Sequence, residues 1–296
     1  MSKQSQLTKS ALYLQQHESI LICPLCEGPM EVTEFRNLKC NNRHTFDIAR
    51  QGYVNLLTKP APTQYGKDLF SARQQVINKS CFFDALTHQL TQIIKQYTTS
   101  KADITIADMG AGEGSHLHNI SRNLSLQTMQ HITGLGLDIS KEGILEAAKN
   151  YEGFIWLVAD LAQPPMRDHC IDVILNILSP SHYDSFQRLL RDDGLIIKVV
   201  PGQHYLQEIR AFFHHETEQP YSNTEVVQNF TNHFELIDQI SIEEHEALDQ
   251  ITLESLVRMT PLTWQASEET INEFLHQEMH QMTLDLEILV GKKKFT

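Results

Sequence analysis

The sequence contains no long apolar run. Nothing in its 296 residues approaches the roughly 20 consecutive apolar positions that a membrane-spanning helix needs. The start, MSKQSQLTKSALYLQQHE, lacks the apolar core of a secretory signal. Together these absences point to a cytoplasmic protein with no membrane partner. Positive charge is also scarce: 24 Lys and Arg stand against 37 Asp and Glu, a formal net charge of −13. That balance argues against a broadly phosphate-binding surface. Cysteine is sparse and odd in number, with five in the chain. In a reducing compartment a disulfide scaffold is excluded, and clustered thiols more often bind metal. No internal repeat or low-complexity tract is present, which excludes a solenoid.

The length fits one large domain with a small appendage, and a 41% hydrophobic content supports a sizeable core. The charge is unevenly spread. Residues 1–70 hold eight Lys and Arg against six Asp and Glu, while the remainder holds 16 against 31. Local charge governs steering. The first seventy residues, with Lys67, Arg73 and Lys79 at their end, are therefore the expected footprint of a polyanion. The acidic stretch 243–246 reads as a solvated face turned away from it, and His214-His215 as solvated.

Three cysteines fall close together. Cys23-Pro-Leu-Cys26 is followed by Cys40 and His44, giving C-x2-C-x13-C-x3-H. Two such knuckles aim four soft or borderline donors at one tetrahedral Zn2+, one per chain. Four protein ligands leave no open position, so the ion is structural and folds a piece too small to fold alone. Cys81 and Cys170 have no partner at ligand spacing and read as small buried hydrophobes.

The rest alternates between two periods. Strand-like runs at 104–109, 132–138, 154–159, 171–178 and 195–200 are separated by helical stretches around 117–124, 141–150 and 183–190. A helical stripe runs through 70–97. The end reads as strands 234–242 and 283–290 flanking a helix at 253–264. Such alternation predicts an α/β fold, and five parallel strands followed by a terminal pair fit a doubly wound Rossmann-like sheet of class I methyltransferase type without by themselves excluding a dehydrogenase. The expected organisation is a loose segment 1–20, a zinc-binding domain 21–57, a linker and leading helix 58–100, and the large domain 101–296.

The first strand of that domain runs into Asp108-Met-Gly110-Ala-Gly112-Glu113-Gly114, a D-x-G-x-G-x-G turn. Glycines let the backbone turn tightly and let a ligand approach it. A dinucleotide loop prefers G-x-G-x-x-G, and position 115 is serine. An aspartate two residues before the first glycine suits a ligand with a cationic amino-acid end, as S-adenosylmethionine has. Asp138 ends the second strand, where a carboxylate accepts ribose hydroxyls. Asp160, after the third, is placed to reach the adenine amino group.

With both pieces in view, the chain resembles the bacterial 23S ribosomal RNA guanine-N1 methyltransferases of the RlmA type along nearly its whole length. The marks are CPLC, then Cys40-Asn-Asn-Arg-His-Thr-Phe-Asp47 and Ile48-Ala-Arg-Gln-Gly-Tyr-Val-Asn-Leu-Leu57. The glycine turn, Gly136-Leu-Asp-Ile-Ser140, Pro201-Gly-Gln-His204 and Met259-Thr-Pro-Leu-Thr-Trp264 follow. The resemblance implies a zinc domain that helps hold a 23S ribosomal RNA hairpin, a homodimer, and cofactor contacts at Gly112, Glu113, His204 and the aromatic position Phe82.

Methyl transfer to guanine N1 needs an aligned nucleophile and a proton acceptor. It also needs a base whose Watson–Crick edge is unpaired or extruded. Asn176, in Leu175-Asn-Ile-Leu-Ser-Pro180, loosely resembles the N-P-P-Y segment of amino methyltransferases without its aromatic. It is a candidate for orienting the base or, equally, a strand-end turn residue. Asp160 is a second candidate acceptor. Two alternatives stay open at this point: a small-molecule methyltransferase with a zinc staple, and a non-catalytic RNA-binding protein.

Overall fold

A computed structural model describes residues 5–60, 66–213, 222–277 and 281–294. The chain opens with α1 (Gln6–His17), capped by Ser5, whose side chain accepts from the Thr8 amide. Residues 6–17, within the segment expected to be loose, therefore form an ordered helix. Its inner face buries Ala11 and Leu14, and Leu14 alone contributes about 2 kcal/mol of apolar burial. A three-stranded antiparallel sheet follows, β1 (Met30–Thr33), β2 (Asn37–Cys40) and β3 (Thr45–Asp47). Next comes β4 (Tyr53–Asn55), with a different destination.

Helix α2 (Lys67–Lys79) and helix α3 (Asp84–Thr98) replace the single expected stripe, broken at Ser80–Phe83. The large domain then runs β5 (Asp103–Met109), α4 (Ser115–Gln127), β6 (His131–Asp138), α5 (Lys141–Asn150), β7 (Phe154–Val158), β8 (Ile171–Ile177), α6 (Tyr183–Leu189) and β9 (Leu190–Pro201). Beyond it lie α7 (Gln207–Phe213), α8 (Thr224–His233), β10 (Phe234–Ala247), α9 (Gln250–Met259), α10 (Glu268–Leu275) and β11 (Gln281–Lys293). The expected helix 253–264 is α9 plus a separate 3-10 turn, Pro261–Thr263, because Pro261 cannot continue α9. His214-His215 lie outside the described residues, as does part of the loop at 59–67.

The strands form one eight-stranded sheet in the order β10-β11-β9-β8-β5-β6-β7-β4. The pairings from β9 through β4 are parallel, and β11 enters antiparallel between β9 and β10. Every residue of the central β8 is buried, as a parallel strand covered on both faces requires. On one face Val173, Leu175 and Ile177 pack with Leu90, Leu117 and Ile144 from α3, α4 and α5. On the other, Ile171 and Ile174 share a core with Phe186, Phe230 and the small sheet's Leu38. The chain leaves β5 toward β6 on one side and later returns to β8 on the other. This reversal opens a crevice at the carboxyl ends of the strands, where such folds bind ligands.

The small domain is not a separate bead. Its last strand, β4, pairs in parallel with β7, Tyr53 to Trp156 and Asn55 to Val158, and becomes the edge of the large sheet. The segment before the first knuckle is also tied in: the Ile22 amide donates to the Pro165 carbonyl (3.1 Å), and the Arg167 amide donates to that of Ile20 (2.9 Å). The segment 21–57 thus carries an edge strand of the large sheet. Residues 67–98, within the expected linker and leading helix, supply Val76, Phe82, Leu86 and Ile94 to the main core.

Candidate cofactor loop and metal centre

The four expected metal ligands converge. Cys23 Sγ lies 3.3 Å from His44 Nδ1, Cys40 Sγ 3.5 Å from the same nitrogen, and Cys26 Sγ 3.7 Å from Cys40 Sγ. All four donor atoms lie within 4.8 Å of one another. A tetrahedron with Zn–S bonds of about 2.3 Å has sulfur–sulfur edges of roughly 3.8 Å. The Cys3His set thus fits Zn2+, with His44 presenting Nδ1. Glu27, after the first knuckle, and Arg43, in the second, have positive φ (57° and 65°), which turns each knuckle back on itself. Cys170 is buried as expected, whereas Cys81 is exposed at the α2–α3 corner.

The glycine turn sits at the carboxyl end of β5 and leads into α4. Gly110 and Gly114 have φ of 99° and 81°. A side chain at Gly110 would strike Ser179, and one at Gly114 would strike the Trp156 ring. Only glycine fits both the dihedrals and the space. The turn is anchored to the end of β6: the Gly110 and Ala111 amides donate to the Leu137 carbonyl at 2.8 and 3.1 Å. Asp138 Oδ2 accepts from the Gly112 amide (2.8 Å) and Oδ1 from the Ser140 amide (2.7 Å).

Around this turn lies a group of buried charges with unmet hydrogen-bonding capacity. Asp108 is 2% exposed and Glu113 fully buried. Asp108 Oδ1, both Glu113 carboxylate oxygens and Arg73 Nε lack a well-directed hydrogen bond. Burial pushes the Asp108 carboxyl up to about 7, against the pull of Arg73 and with the help of Asp138 and Glu113. Burial likewise raises Glu113 and Asp138. Buried polar atoms without partners are rare, and here they cluster at one ligand-facing turn. They fit S-adenosylmethionine, whose sulfonium and ammonium suit the carboxylates and whose carboxylate suits a cation. Bound there, that group supplies an electrophilic methyl.

The other expected residues differ in burial and partners. Asp160 is exposed after β7, with Oδ1 accepting from the Ala162 amide (2.9 Å). Phe82 is 1% exposed, packed edge-on to Phe83 with ring centres 5.1 Å apart. His204 is exposed in the β9–α7 loop; its amide donates to Asp285 (2.7 Å) and its Nδ1 lies 3.7 Å from both Asp285 and Glu243. The acidic stretch 243–246 is at the end of β10, a sheet edge, with its glutamates exposed or half-buried.

Asn176 is fully buried. Its Nδ2 donates to the Met109 and Pro180 carbonyls at 2.7 and 3.0 Å, and its Oδ1 accepts from Ser181 Oγ and Lys198 Nζ at 2.8 and 2.6 Å. All four of its hydrogen-bonding positions are taken. It braces the β8–α6 loop and has no capacity left for a base.

Three residues escaped sequence reasoning. Arg73, expected in a polyanion footprint, turns inward from α2, and its Nε lies 3.0 Å from Glu113. Nothing in its amphipathic helix announces that direction. Lys198 is 5% exposed, and burial lowers its ammonium to about 8. A lone lysine inside the apolar run Leu195-Ile-Ile-Lys-Val-Val200 is a signal that could have revealed it. Tyr205, beside His204, is raised to about 12 by burial, with Arg73 close enough to oppose the rise.

Comparison with known proteins gives this geometry a lineage. The RlmA N-terminal zinc-ribbon model matches residues 21–64, and a methyltransferase-domain model matches residues 107–195. The YxjB protein of Bacillus subtilis (strain 168), named for 23S rRNA (guanine-N1) methylation, is 40% identical over 93% of this chain and 98% of its own length. The 23S rRNA (guanine(748)-N(1))-methyltransferase of Streptomyces fradiae is 29% identical over 91% of this chain and 95% of its own. With a metal-ready ribbon, a glycine turn flanked by acids and similarity of this length, the chain belongs to the 23S rRNA (guanine-N1)-methyltransferase family.

Proposed function

We propose that this chain transfers a methyl group from S-adenosylmethionine to N1 of a guanine in a hairpin loop of 23S ribosomal RNA, working in the cytoplasm as a homodimer. The observation that carries this reading is the continuity of ribbon and sheet. A Cys3His knob and a glycine turn belong to one hydrogen-bonded framework, and relatives named for that activity match nearly all of it.

In this reading the glycine turn and Asp138 hold the cofactor's backbone-facing side. Asp160, whose Oδ1 accepts from the Ala162 amide, takes the adenine amino group or the N1 proton. Phe82 and His204 border the cofactor, and Asn176 keeps the loop beneath the incoming base in place. The ribbon's basic residues, Arg36, Lys39 and Arg43, grip the RNA. Because N1 lies on the Watson–Crick edge, the target base must be unpaired or extruded.

The test is incubation with S-adenosylmethionine and bacterial 23S RNA, followed by reverse transcription. A methyl on N1 blocks pairing, so a new stop one nucleotide before a loop guanine is expected. Methyl transfer confined to small metabolites, or RNA binding without transfer, would overturn the proposal. Light scattering after gel filtration is expected to give twice the chain mass.

A further inference from the structure

Lys198 is an expensive residue for its position. It interrupts the apolar run Leu195-Ile-Ile-Lys-Val-Val200 inside the sheet and is 5% exposed. Burial works against its charge, and among the described residues no carboxylate pairs with it. A buried ammonium without a counter-ion lowers stability, and a methionine would fill the same space without that penalty. Stability does not account for the lysine.

What the ammonium holds is the loop at the carboxyl end of β8. Asn176 and Lys198 are register partners on β8 and β9. Lys198 Nζ donates to Asn176 Oδ1 (2.6 Å) and to the Ser179 carbonyl. Asn176 extends the hold in two directions, to the Pro180 carbonyl within the loop and to the Met109 carbonyl at the start of the glycine turn. Ser181 Oγ donates to Asn176 Oδ1, and the Leu178 amide to the Val199 carbonyl (3.1 Å). Each residue from 178 to 181 is thus tied at one point. The loop needs these ties, because Leu178 has a φ of 49°, in the left-handed region that a side chain disfavours. It also packs against the glycine turn, where a Cβ at Gly110 would overlap Ser179 Oγ. Strained backbone persists only where its surroundings over-determine it, and such places cluster at functional sites.

We propose that Lys198 is a positioning residue for methyl transfer: through Asn176 and the Ser179 carbonyl it locks the loop 178–181 against the glycine turn, and so fixes where the guanine meets the methyl donor. This rests on the reading that a guanine is delivered to the carboxyl end of β8. Being buried, Lys198 acts through the groups it holds. An ammonium suits the task because its N–H donors diverge and reach acceptors on two segments at once. Transfer is steeply sensitive to placement, an error of about 1 Å costing roughly 100-fold in rate.

The experiment compares wild type with Lys198→Met, Lys198→Arg and Ser181→Ala. Three quantities are read: single-turnover methyl transfer to 23S RNA at saturating RNA and S-adenosylmethionine, affinity for S-adenosylhomocysteine by calorimetry, and RNA affinity by filter binding. Methionine is close to the lysine stem in size and suits an apolar strand, so Lys198→Met is expected to melt no lower than wild type. Its transfer rate is expected to fall roughly 10- to 100-fold while both affinities stay within about threefold. Lys198→Arg keeps the charge and the donors and is expected to recover part of the rate. Ser181→Ala removes one tie at an exposed position, where folding is not at risk; a several-fold slower transfer at unchanged affinities is expected.

A merely structural lysine gives a different pattern. The positioning role is overturned, with the functional reading intact, if Lys198→Met melts far below wild type, if its transfer rate and cofactor affinity fall together, or if it or Ser181→Ala transfers as fast as wild type. If wild type itself leaves no methyl on 23S RNA, the functional reading falls first and this role with it.

Discussion

Replacing Asp108 with Asn should make the protein more stable and less able to bind its cofactor, and the stability gain should grow with pH. The carboxyl is buried at the end of β5 with one oxygen unmet, and burial moves its pKa from 3.8 to about 7. A carboxyl with a raised folded-state pKa holds its proton more tightly in the fold than in the unfolded chain. Below pH 3.8 it exacts nothing. Between 3.8 and about 7 the folded state loses stability as pH rises, and above 7 the loss is complete. At 1.36 kcal/mol per pH unit, that loss is roughly 4 kcal/mol at pH 8 and roughly 1.5 kcal/mol at pH 5. Asparagine keeps the shape and cannot ionise, so it recovers about these amounts. For a chain of this size each kcal/mol moves the melting temperature by about 2–4 °C. The Asp108→Asn advantage should therefore widen by roughly 5–10 °C between pH 5 and pH 8, read by circular dichroism at the two pH values. Calorimetry with S-adenosylhomocysteine should show weaker binding by the same variant. A melting-temperature difference that does not change with pH would refute the claim that this carboxylate is held in the fold against its own electrostatics.

Three other perturbations follow from the geometry. Cys23→Ser should abolish the one-per-chain zinc content measured by plasma mass spectrometry and, because β4 is shared, should lower the melting temperature of the whole chain rather than of the ribbon alone. Gly114→Ala forces a side chain against Trp156 at a φ of 81°; a loss of about 2–3 kcal/mol in urea unfolding is expected, with weakened cofactor binding. Asn176→Ala strips partners from the Met109 carbonyl and from the buried Lys198 ammonium; it should cost about 3 kcal/mol, while a variant at exposed Asp184 in the adjoining helix should cost little.

The parts that were legible in the sequence are those written in local spacing. The knuckle residues are fixed by intervals of two and three, and the five strands of the central parallel set by runs of apolar residues whose ends carry Asp108 and Asp138. What stayed hidden depends on contacts between distant segments. Gly52-Tyr-Val-Asn-Leu-Leu57 reads as part of the zinc domain because nothing local says that β4 will pair with β7, a hundred residues away. Arg73 and Asn176 illustrate the same limit in side chains. One is an ordinary helix cation until α2 is laid over the glycine turn. The other is a candidate to face substrate until Lys198, Ser181 and two carbonyls claim its amide. The order of α1 was obscured because the apolar residues that pack inward, Leu7, Ala11, Tyr13 and Leu14, are interspersed among polar ones in a short segment.

The three-residue strand β4 has a mechanical consequence. Because it is stitched to β7 by backbone hydrogen bonds, the metal knob and the glycine turn share one lattice with no hinge at Tyr53–Asn55. The two are held at a separation set by residue count, as by a ruler, so a one-residue insertion between His44 and Tyr53 would shift the knob relative to the turn without touching either site. The same strand shields the flank of β7. Cutting the knob away would leave a raw, sticky border on the catalytic half and invite chain-to-chain pairing.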